Sequence, residues 1–239
     1  WFIRMIKLSV VIPCFNESKN LPLLISRCQK TYVKEQSIEF ILVDNGSTDD
    51  TQEVIKDLTS NLSFVTVVHV EINKGYGYGI LSGLKVAKGE VLSWTHADLQ
   101  TDPFDLLNGL NFFLDSDNLE LLFVKGRRYG RPFLDIIFTI GMGVFETFLL
   151  RKFMWDINAQ PTMFHRSFFL TWESPPNDFS LDLFAYYMAK KSNLEIKRFP
   201  VFFGDRAYGV SHWNINLLSK FNFIKRTLLY SVKMHNRIK

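Results

Sequence analysis

The loop after the fourth predicted strand contains a carboxylate and an amide that could hold a metal, Asp98 and Gln100. Such oxygen atoms suit a hard divalent cation that stays partly hydrated and takes substrate phosphates as its other ligands. A simpler interpretation concerns only the helix start, where Thr101 or Asp102 can cap a helix that begins at Pro103. Asp98 is not needed for that cap. The loop alone leaves both interpretations open.

Short polar segments also follow the first two predicted strands, at Pro13–Glu17 and Asp44–Ser47. Their acidic residues, Glu17 and Asp44, can accept hydrogen bonds from a base or a ribose, and Phe15 offers a base an apolar face. Each signal is weak by itself, but together with the Asp98 loop they indicate one site. We interpret the remaining polar residues as turn and helix-cap residues: Asn16, Ser47 and Asp49.

The elements that must position these loops alternate between strand and helix patterns. Predicted strands cover residues 8–12, 39–43, 64–70 and 90–94, with helices between them that Ser18 and either Thr48 or Asp49 could cap. Beyond these, we predict helices over 104–114, 133–150 and 180–190, and strands over 120–125, 161–165 and 194–203. The alternation predicts an α/β fold with a parallel sheet, which binds ligands at the carboxyl ends of its strands.

In order and spacing, the motifs resemble glycosyltransferase family 2, and in particular the dolichyl-phosphate mannose synthases and bacterial polyprenyl-phosphate glycosyltransferases. The segments that carry the resemblance are Pro13-x-Phe15-Asn16-Glu17, Val43-Asp44-Asn45-Gly46-Ser47, Asn73-x-Gly75, Ala97-Asp98-Leu99-Gln100-x-Asp102-Pro103, Gly126-Arg127-Arg128-Tyr129, Phe179-Ser180-Leu181-Asp182 and Asp205 to His212. The resemblance implies a nucleotide-sugar-binding GT-A-type fold over residues 5–212. It also implies an inverting, metal-dependent sugar transfer from a UDP- or GDP-sugar.

The resemblance further implies a role for each matching residue. The nucleoside would lie against Pro13, Phe15, Glu17, Asp44 and Asn45, and the ribose and first phosphate along His96 and Ala97. Asp98 and Gln100 would ligate Mg²⁺ or Mn²⁺ together with the diphosphate. Arg128 and Arg206 would neutralise phosphate charge, because their forked donors suit phosphate geometry. Two more residues could face phosphates: Lys74 and His212.

Several positions depart from the family pattern. The family's Asp-x-Asp is His96-x-Asp98 here, and its Asp-Asp-Gly-Ser begins Asp44-Asn45, so two carboxylates are lost. Two arginines expected near the acceptor are also replaced, the first in the region of Asp135 and Thr139 and the second near Pro161-Thr162. Candidates to compensate for them are Arg127, Arg131 and Arg166. The donor half therefore resembles the family more closely than the acceptor half.

The acceptor decides whether a base is needed. A lipid phosphate such as polyprenyl phosphate is already anionic, whereas a sugar hydroxyl on a lipid-linked glycan must lose a proton to a carboxylate. Asp178 and Asp182 are the candidates for that carboxylate, although both also fit the start of a helix. We favour polyprenyl phosphate and keep the glycan acceptor as the alternative. A non-catalytic nucleotide-sugar-binding module is a third hypothesis, supported only by His96 and Asn45.

Two patterns carry no chemistry of their own. Gly75-Tyr76-Gly77-Tyr78-Gly79 has the wrong spacing for a dinucleotide loop, and it follows the third strand instead of the first. It is interpreted as a closely packed helix start. The five histidines show no metal-ligand spacing. The basic tail lacks a recognised nucleic-acid-binding motif, so a nucleic-acid partner is not predicted.

The end of the chain is basic and amphipathic. No acidic residue follows Asp205, and apolar residues recur at helical spacing over 213–239, which we predict to be a helical extension. It could pack on the core or lie on an anionic membrane surface, next to the apolar 133–150 helix. A transmembrane span is not predicted for that helix, because Asp135 and Glu146 interrupt it. With only two cysteines, the chain fits a reducing cytosol, and we expect peripheral contact with the cytoplasmic face of a membrane.

Overall fold

A computed structural model of the protein describes residues 7–209, 225 and 227–234. The strands are β1 (Leu8–Cys14), β2 (Ile38–Asn45), β3 (Val65–Val70), β4 (Val91–Trp94), β5 (Leu122–Tyr129), β6 (Thr162–His165) and β7 (Glu195–Phe202). The helices are α1 (Leu21–Lys34), α2 (Thr51–Thr59), α3 (Tyr76–Val86), α4 (Asp105–Leu114), α5 (Phe133–Leu150), α6 (Arg166–Leu170) and α7 (Leu181–Lys191).

The seven strands form one sheet in the order β3-β2-β1-β4-β6-β5-β7. Strand β1 runs parallel to β2 and β4, β2 runs parallel to β3, and β5 runs parallel to β7. Only β6 is antiparallel to its neighbours β4 and β5. The prediction of an α/β fold with a mostly parallel sheet is confirmed. All strands except β6 end at the same edge.

Helices cover both faces of the sheet, because successive strand residues point to opposite sides. In β1, Val10 and Ile12 join a core cluster with the apolar sides of α1 and α4, whereas Val11 joins a second cluster with α3 and α7. Helix α3 approaches the sheet closely at Gly83, where an added Cβ would lie 2.4 Å from a methyl of Val11. At the start of α3, a Cβ added at Gly77 would lie 2.6 Å from the carbonyl oxygen of Pro176, so the glycine-rich stretch is a close-packed helix start, as predicted.

Some predicted boundaries were wrong. Strand β1 continues through Pro13 to Cys14, because it keeps its pairing with Val43 and Asp44 of β2. Ser18 does not cap α1, which begins after Asn20. The hydroxyl of Ser18 instead donates to Asp49 at 2.7 Å. Strand β5 extends to Tyr129 through its pairing with β7. The short α6 was not predicted.

Helix α5 buries little of its surface. It is long and apolar enough to cross a membrane by length and composition alone, with a mean hydropathy of 1.8 over 18 residues and 17% of that window buried. The expectation that Asp135 and Glu146 exclude a span is therefore too strict. Helical residues 227–234 pack against α5, where the Ser231 hydroxyl donates to the Glu146 carboxyl. Met234 of that helix is buried. The boundary between 212 and 213 lies outside the described residues.

Candidate active site

The loops singled out from the sequence meet at one edge of the sheet. Because β1, β2, β4, β5 and β7 run in the same direction, the segments after them all lie at their carboxyl ends. The residues just before β6 lie at this edge too, because β6 is antiparallel to β4. This edge therefore brings together the predicted nucleoside, metal and phosphate residues that lie in the described part of the chain.

Asp98 is paired with an arginine from the last site loop. Its Oδ2 lies 2.9 Å from Nη2 of Arg206, and its Oδ1 accepts the backbone N–H of Gln100 at 3.2 Å. The turn between them places Leu99 at a φ of 58°, which is unusual for a residue with a side chain. Gln100 donates through Nε2 to the carbonyl of Gly204 at 3.1 Å. Segment 203–209 therefore contacts the Asp98 loop through two residues, Gly204 and Arg206.

Glu17 lies beside this pair. Burial raises the pKa of its carboxyl, and the negative charge of Asp98 adds to this rise, while a hydrogen bond from Asn20 and the positive charge of Arg206 oppose it. Asn20 also donates to the carbonyl of Tyr208 at 3.3 Å. Segment 203–209 thus has a third attachment, to the loop after β1. Glu17 therefore lies close to the Asp98 loop, and its contact with a nucleoside stays a prediction.

Side chains join the loops after β1 and β2. Asn16, at a φ of 57°, accepts the N–H of Thr48 through Oδ1 at 2.8 Å. The backbone N–H of Glu17 donates to the Thr51 hydroxyl at 2.9 Å. Asp49 accepts from the N–H of Thr51 at 3.1 Å. Asn16 and Asp49 therefore serve the turns before α2, as the sequence indicated, but the N-cap residue of α2 is Asp50 and not Thr48 or Asp49.

The two residues that end β2 are both buried and have different partners. Asp44 contacts Nδ1 of His69 through Oδ2 at 2.9 Å and accepts the N–H of Ser47 through Oδ1 at 3.1 Å. Asn45 donates through Nδ2 to the carbonyl of Gly75 at 3.0 Å, which ties β2 to the start of α3. Its buried Oδ1 has no hydrogen-bond partner among the residues that the structure describes. A carboxylate could not replace the Asn45 donor.

Lys74 and His96, two further predicted site residues, lie beside aromatic rings. The exposed ammonium of Lys74 lies 5.1 Å from the centre of the Tyr78 ring. The His96 ring lies 5.7 Å from the ring of Tyr76, which stacks on Phe179 at 4.7 Å with an angle of 10° between the planes. The cluster was not predicted, although Tyr76 lies in the glycine-rich stretch that was interpreted as a helix start.

Arg128 shares a carboxylate with a second arginine. Its Nε donates to Oδ1 of Asp156 at 2.9 Å, and its backbone N–H donates to Oδ2 at 3.0 Å. Nη2 of Arg131 lies 3.7 Å from the same Oδ1, and its Nη1 donates to Thr139 at 2.8 Å. Burial alone would raise the pKa of Asp156, but the charge and hydrogen bonds of Arg128 outweigh it and lower the pKa. Two guanidinium groups and one carboxylate leave a net positive charge.

Arg128 also lines a mostly apolar pocket between α5 and α7. The apolar lining is Phe138, Met142, Ile157, Phe179 and Leu183, and the polar lining includes Thr139 and Glu146. Arg131 donates to Thr139 and so lies near the position where the sequence lacks a family arginine. Arg166 does not, because its guanidinium donates to the carbonyls of Ala87 and Gly89 before the start of β4, at the opposite edge of the sheet.

Asp182 is enclosed by donors. Its Oδ1 accepts from Nε2 of Gln160 at 2.7 Å and from Nε1 of Trp94 at 3.2 Å, and it lies 3.8 Å from Nζ of Lys125. Lys125 is completely buried; burial lowers the pKa of its ammonium to about 7, although the charge of Asp182 opposes this shift. Lys125 was missed, and its only signal was a charged residue within the apolar run that forms β5.

The oxygen ligands at the Asp98 loop fit a divalent metal ion that binds together with a nucleoside diphosphate. Among residues 7–209 and the described tail residues, no three His, Cys, Asp or Glu side chains cluster as a metal cage. The protein ligands would be Asp98 and Gln100, and a diphosphate and water would complete the shell, as hard divalent cations require. The pairing of Asp98 with Arg206 fits this too, because it places a cation at that carboxylate. His212 lies outside the described residues.

Comparison with known proteins agrees with this fold. The chain is similar to glucosyl-3-phosphoglycerate synthase from Mycobacterium tuberculosis, solved with Mn²⁺, UDP and glucosyl-3-phosphoglycerate, at a TM-score of 0.73 and 15% identity over 96% of this chain and 80% of that one. A mannosyltransferase from Pyrobaculum calidifontis in complex with GDP-Man and Mn²⁺ gives a TM-score of 0.65 at 17% identity, over 92% of this chain and 64% of that one. The fold is GT-A.

The curated relatives carry undecaprenyl-phosphate 4-deoxy-4-formamido-L-arabinose transferase as their name. One from Proteus mirabilis is 35% identical over 108 residues, which are 44% of this chain and 33% of the relative. Another from Aeromonas hydrophila is 39% identical over 101 residues, 41% of this chain and 31% of the relative. The chain thus matches about a third of their length. Residues 9–169 match glycosyl transferase family 2, and the chain belongs to that family.

Proposed function

We propose that this chain is a metal-dependent inverting glycosyltransferase that moves a sugar from a UDP- or GDP-sugar to polyprenyl phosphate at the cytoplasmic face of a membrane. The observation that carries the proposal is the placement of Asp98 and Arg206, 2.9 Å apart, at the same edge as Glu17 and Asp44. Solved structures with this fold contain Mn²⁺ with UDP or GDP-Man, which supports a nucleotide donor and a divalent ion.

In the proposed reaction, an oxygen of the acceptor phosphate attacks the anomeric carbon as the bond to the diphosphate oxygen breaks, so the configuration inverts. The nucleoside diphosphate leaves with the bonding electron pair. A bound Mg²⁺ or Mn²⁺ would stabilise the negative charge that develops there. Arg206 adds a guanidinium near that charge, and Glu17 and Asp44 orient the nucleoside. Preorganised charges of this kind are a main source of rate enhancement.

The acceptor side of the site supports a lipid phosphate. Arg128 and Arg131 retain a net positive charge beside Asp156, which attracts an anion. The pocket that Arg128 lines is mostly apolar, although Thr139 and Glu146 also belong to its lining. A polyprenyl phosphate combines an anion with an apolar chain. The names of the curated relatives contain the same acceptor class, undecaprenyl phosphate.

A sugar hydroxyl as the acceptor receives less support. Asp182 is only 3% exposed and already accepts from Trp94 and Gln160, so it has little access to a proton on a substrate. Asp178 accepts the N–H of Ser180 at 2.8 Å at the start of α7. Both geometries favour structural roles for these carboxylates. A phosphate acceptor needs neither of them as a base.

Membrane contact is proposed for α5. Several of its apolar side chains are strongly exposed, among them Phe133, Leu134 and Phe148, the last two at 77% and 80%. An apolar helix face of this kind suits insertion into the headgroup region of a bilayer. A Leu134→Asp, Phe148→Asp double variant should bind vesicles containing anionic lipid at least about tenfold more weakly. Leu170→Asp, which alters an equally exposed leucine on α6, should not; similar binding by both variants would contradict the role of α5.

The function is tested in two steps. A panel of UDP- and GDP-sugars is first screened for thermal stabilisation in the presence of Mn²⁺, since a ligand at 100 times its Kd adds about 2.7 kcal/mol. The stabilising donor is then incubated with undecaprenyl phosphate or undecaprenol in vesicles. We expect sugar transfer to the phosphate only. Metal-dependent donor binding without transfer to any acceptor would favour the non-catalytic module.

A further inference from the structure

Three aromatic rings connect the two halves of the proposed site. Tyr76 is the central ring, with Phe179 stacked 4.7 Å away on one side and His96 at 5.7 Å. His96 lies two residues before Asp98, and Phe179 lines the pocket that Arg128 borders. These rings, which we name the aromatic wall, therefore extend from the proposed diphosphate site to the proposed acceptor pocket.

The hydroxyl of Tyr76, the central ring of the wall, contacts a hydrogen-bond network around Asp182. Nε2 of Gln160 lies 3.3 Å from the Tyr76 hydroxyl oxygen and also donates to Oδ1 of Asp182 at 2.7 Å. Trp94 donates to the same carboxylate oxygen at 3.2 Å. Burial and the charges of Asp182 and Asp98 raise the pKa of the Tyr76 phenol well above its ordinary value, so it remains neutral. The Tyr76 ring is thus positioned by the Gln160 amide, which Asp182 orients in turn.

The position of the wall identifies its ligand. A sugar in transfer must lie between the leaving diphosphate and the attacking acceptor oxygen, and the wall connects those two places. Aromatic ring faces carry partial negative charge, so they favour groups with partial positive charge such as the C–H bonds on one face of a sugar ring. An imidazole at position 96 continues this surface, whereas the aspartate that the family pattern has there would interrupt it with a charge.

We propose that the aromatic wall of His96, Tyr76 and Phe179 is the subsite for the transferred sugar ring, and that Phe179 helps to determine which sugars bind. This inference rests on the proposed function, because it requires a nucleotide-sugar donor. It gives a reason for His96 that a metal-binding role does not supply. It also assigns Gln160 and Asp182 as positioning residues, since they act on the sugar only through Tyr76.

The test separates the sugar from the nucleotide. Calorimetry in Mn²⁺ measures the Kd of the best-binding nucleotide sugar and of the matching nucleoside diphosphate. For Phe179→Leu, which keeps an apolar side chain and removes the aromatic face, we expect the nucleotide-sugar Kd to rise about fivefold. The nucleoside diphosphate Kd should remain unchanged. Phe179→Tyr should restore the wild-type nucleotide-sugar Kd, and Phe153→Leu, at a phenylalanine that is 66% exposed and outside the wall, should not alter it.

Two results would contradict the proposal that the aromatic wall binds the sugar. Unchanged nucleotide-sugar binding in Phe179→Leu would show that the ring does not contact the sugar, and equal weakening of both ligands would show a general distortion. In either case wild-type donor binding would leave the proposed function intact. If the wild-type protein bound no nucleotide sugar, the proposed function and the wall would fail together. Thermal unfolding of each variant verifies that it is folded.

Discussion

Arg206 donates to Asp98 across 2.9 Å, and the two side chains are 25% and 6% exposed. The arginine proposed to face phosphate is thus the same one that neutralises the proposed metal ligand. A divalent ion at Asp98 would take over that neutralisation and leave Arg206 available to the diphosphate. The pair therefore connects metal binding with the position of segment 203–209, which also contacts Gln100 and Asn20.

Replacement of Arg206 should change two affinities in opposite directions. In Arg206→Ala, Asp98 loses a competing cation, so Mn²⁺ alone should bind more tightly. The nucleoside diphosphate should bind about tenfold more weakly, because a charge-assisted contact is lost. Arg27→Ala, which removes an exposed pair with Asp102, is the matched control. Calorimetry with each ligand measures both effects, and parallel changes in the two affinities would contradict this role of the pair.

Restoring the family's second aspartate at position 45 should destabilise the protein. Asn45 donates from a buried site to the Gly75 carbonyl, and a carboxylate there would place an acceptor against an acceptor. We expect Asn45→Asp to lower the free energy of unfolding at pH 8 by about 1–3 kcal/mol. The loss should shrink at pH 4, where a protonated carboxyl can donate. Urea unfolding measures both values, with Asn61→Asp on the surface as the control. A loss independent of pH would contradict the explanation.

Two glycines should respond oppositely to alanine. At Gly83 the added methyl would meet Val11 of β1 at 2.4 Å, so Gly83→Ala should lower the free energy of unfolding by about 1–3 kcal/mol. At Gly141 on α5 the methyl would meet none of the described residues within 4 Å, so Gly141→Ala should raise it by about 0.5–1 kcal/mol through helix propensity. Denaturant unfolding of both variants is the measurement. Equal effects would exclude close packing at α3 as the cause.

Glu146 should make stability depend on pH. Burial raises the pKa of its carboxyl from 4.5 to about 7, although a hydrogen bond from Ser231 opposes the rise. The folded protein thus holds this proton between about pH 4.5 and 7, where the unfolded chain releases it. The stabilisation is complete below pH 4.5 and is lost as the pH rises to 7.

Glu146→Gln tests this dependence, because the amide is neutral at every pH. Its melting temperature should fall less than that of the wild-type protein between pH 5 and 7.5. Glu53→Gln, at an exposed position on α2, should leave the wild-type slope unchanged. Identical slopes in all three proteins would show that the Glu146 carboxyl is ionised in the folded state.

The sequence predicted which loops form the site better than it predicted which of their residues pair with one another. Loops after β1, β2 and β4 were located because polar residues directly follow apolar runs, and a parallel sheet brings such loops together. The pairing of Asp98 with Arg206 and of Asp44 with His69 was not predictable, because each joins residues from different loops whose relative positions depend on the whole fold.

The buried network around Asp182 shows a second limit. Lys125, Gln160 and Trp94 are separated along the chain, and local pattern does not indicate that they meet. The start of α7 was predicted to within one residue, yet the environment of Asp182 depends on β4, β5 and the segment before β6. The apolar composition of α5 was evident from the sequence, but the exposure of its side chains was not predicted.

The claim that Asp98 holds the metal and diphosphate is tested most directly by donor-dependent release of nucleoside diphosphate, measured with Mn²⁺ and with a chelator. We predict that release by the wild-type protein requires the ion and that Asp98→Ala reduces it more than about tenfold, consistent with loss of transition-state charge stabilisation. Asp117→Ala, at an exposed aspartate beyond α4, should behave as the wild-type protein does. An Asp98→Ala protein that keeps more than about a tenth of the Mn²⁺-dependent activity would contradict the assignment.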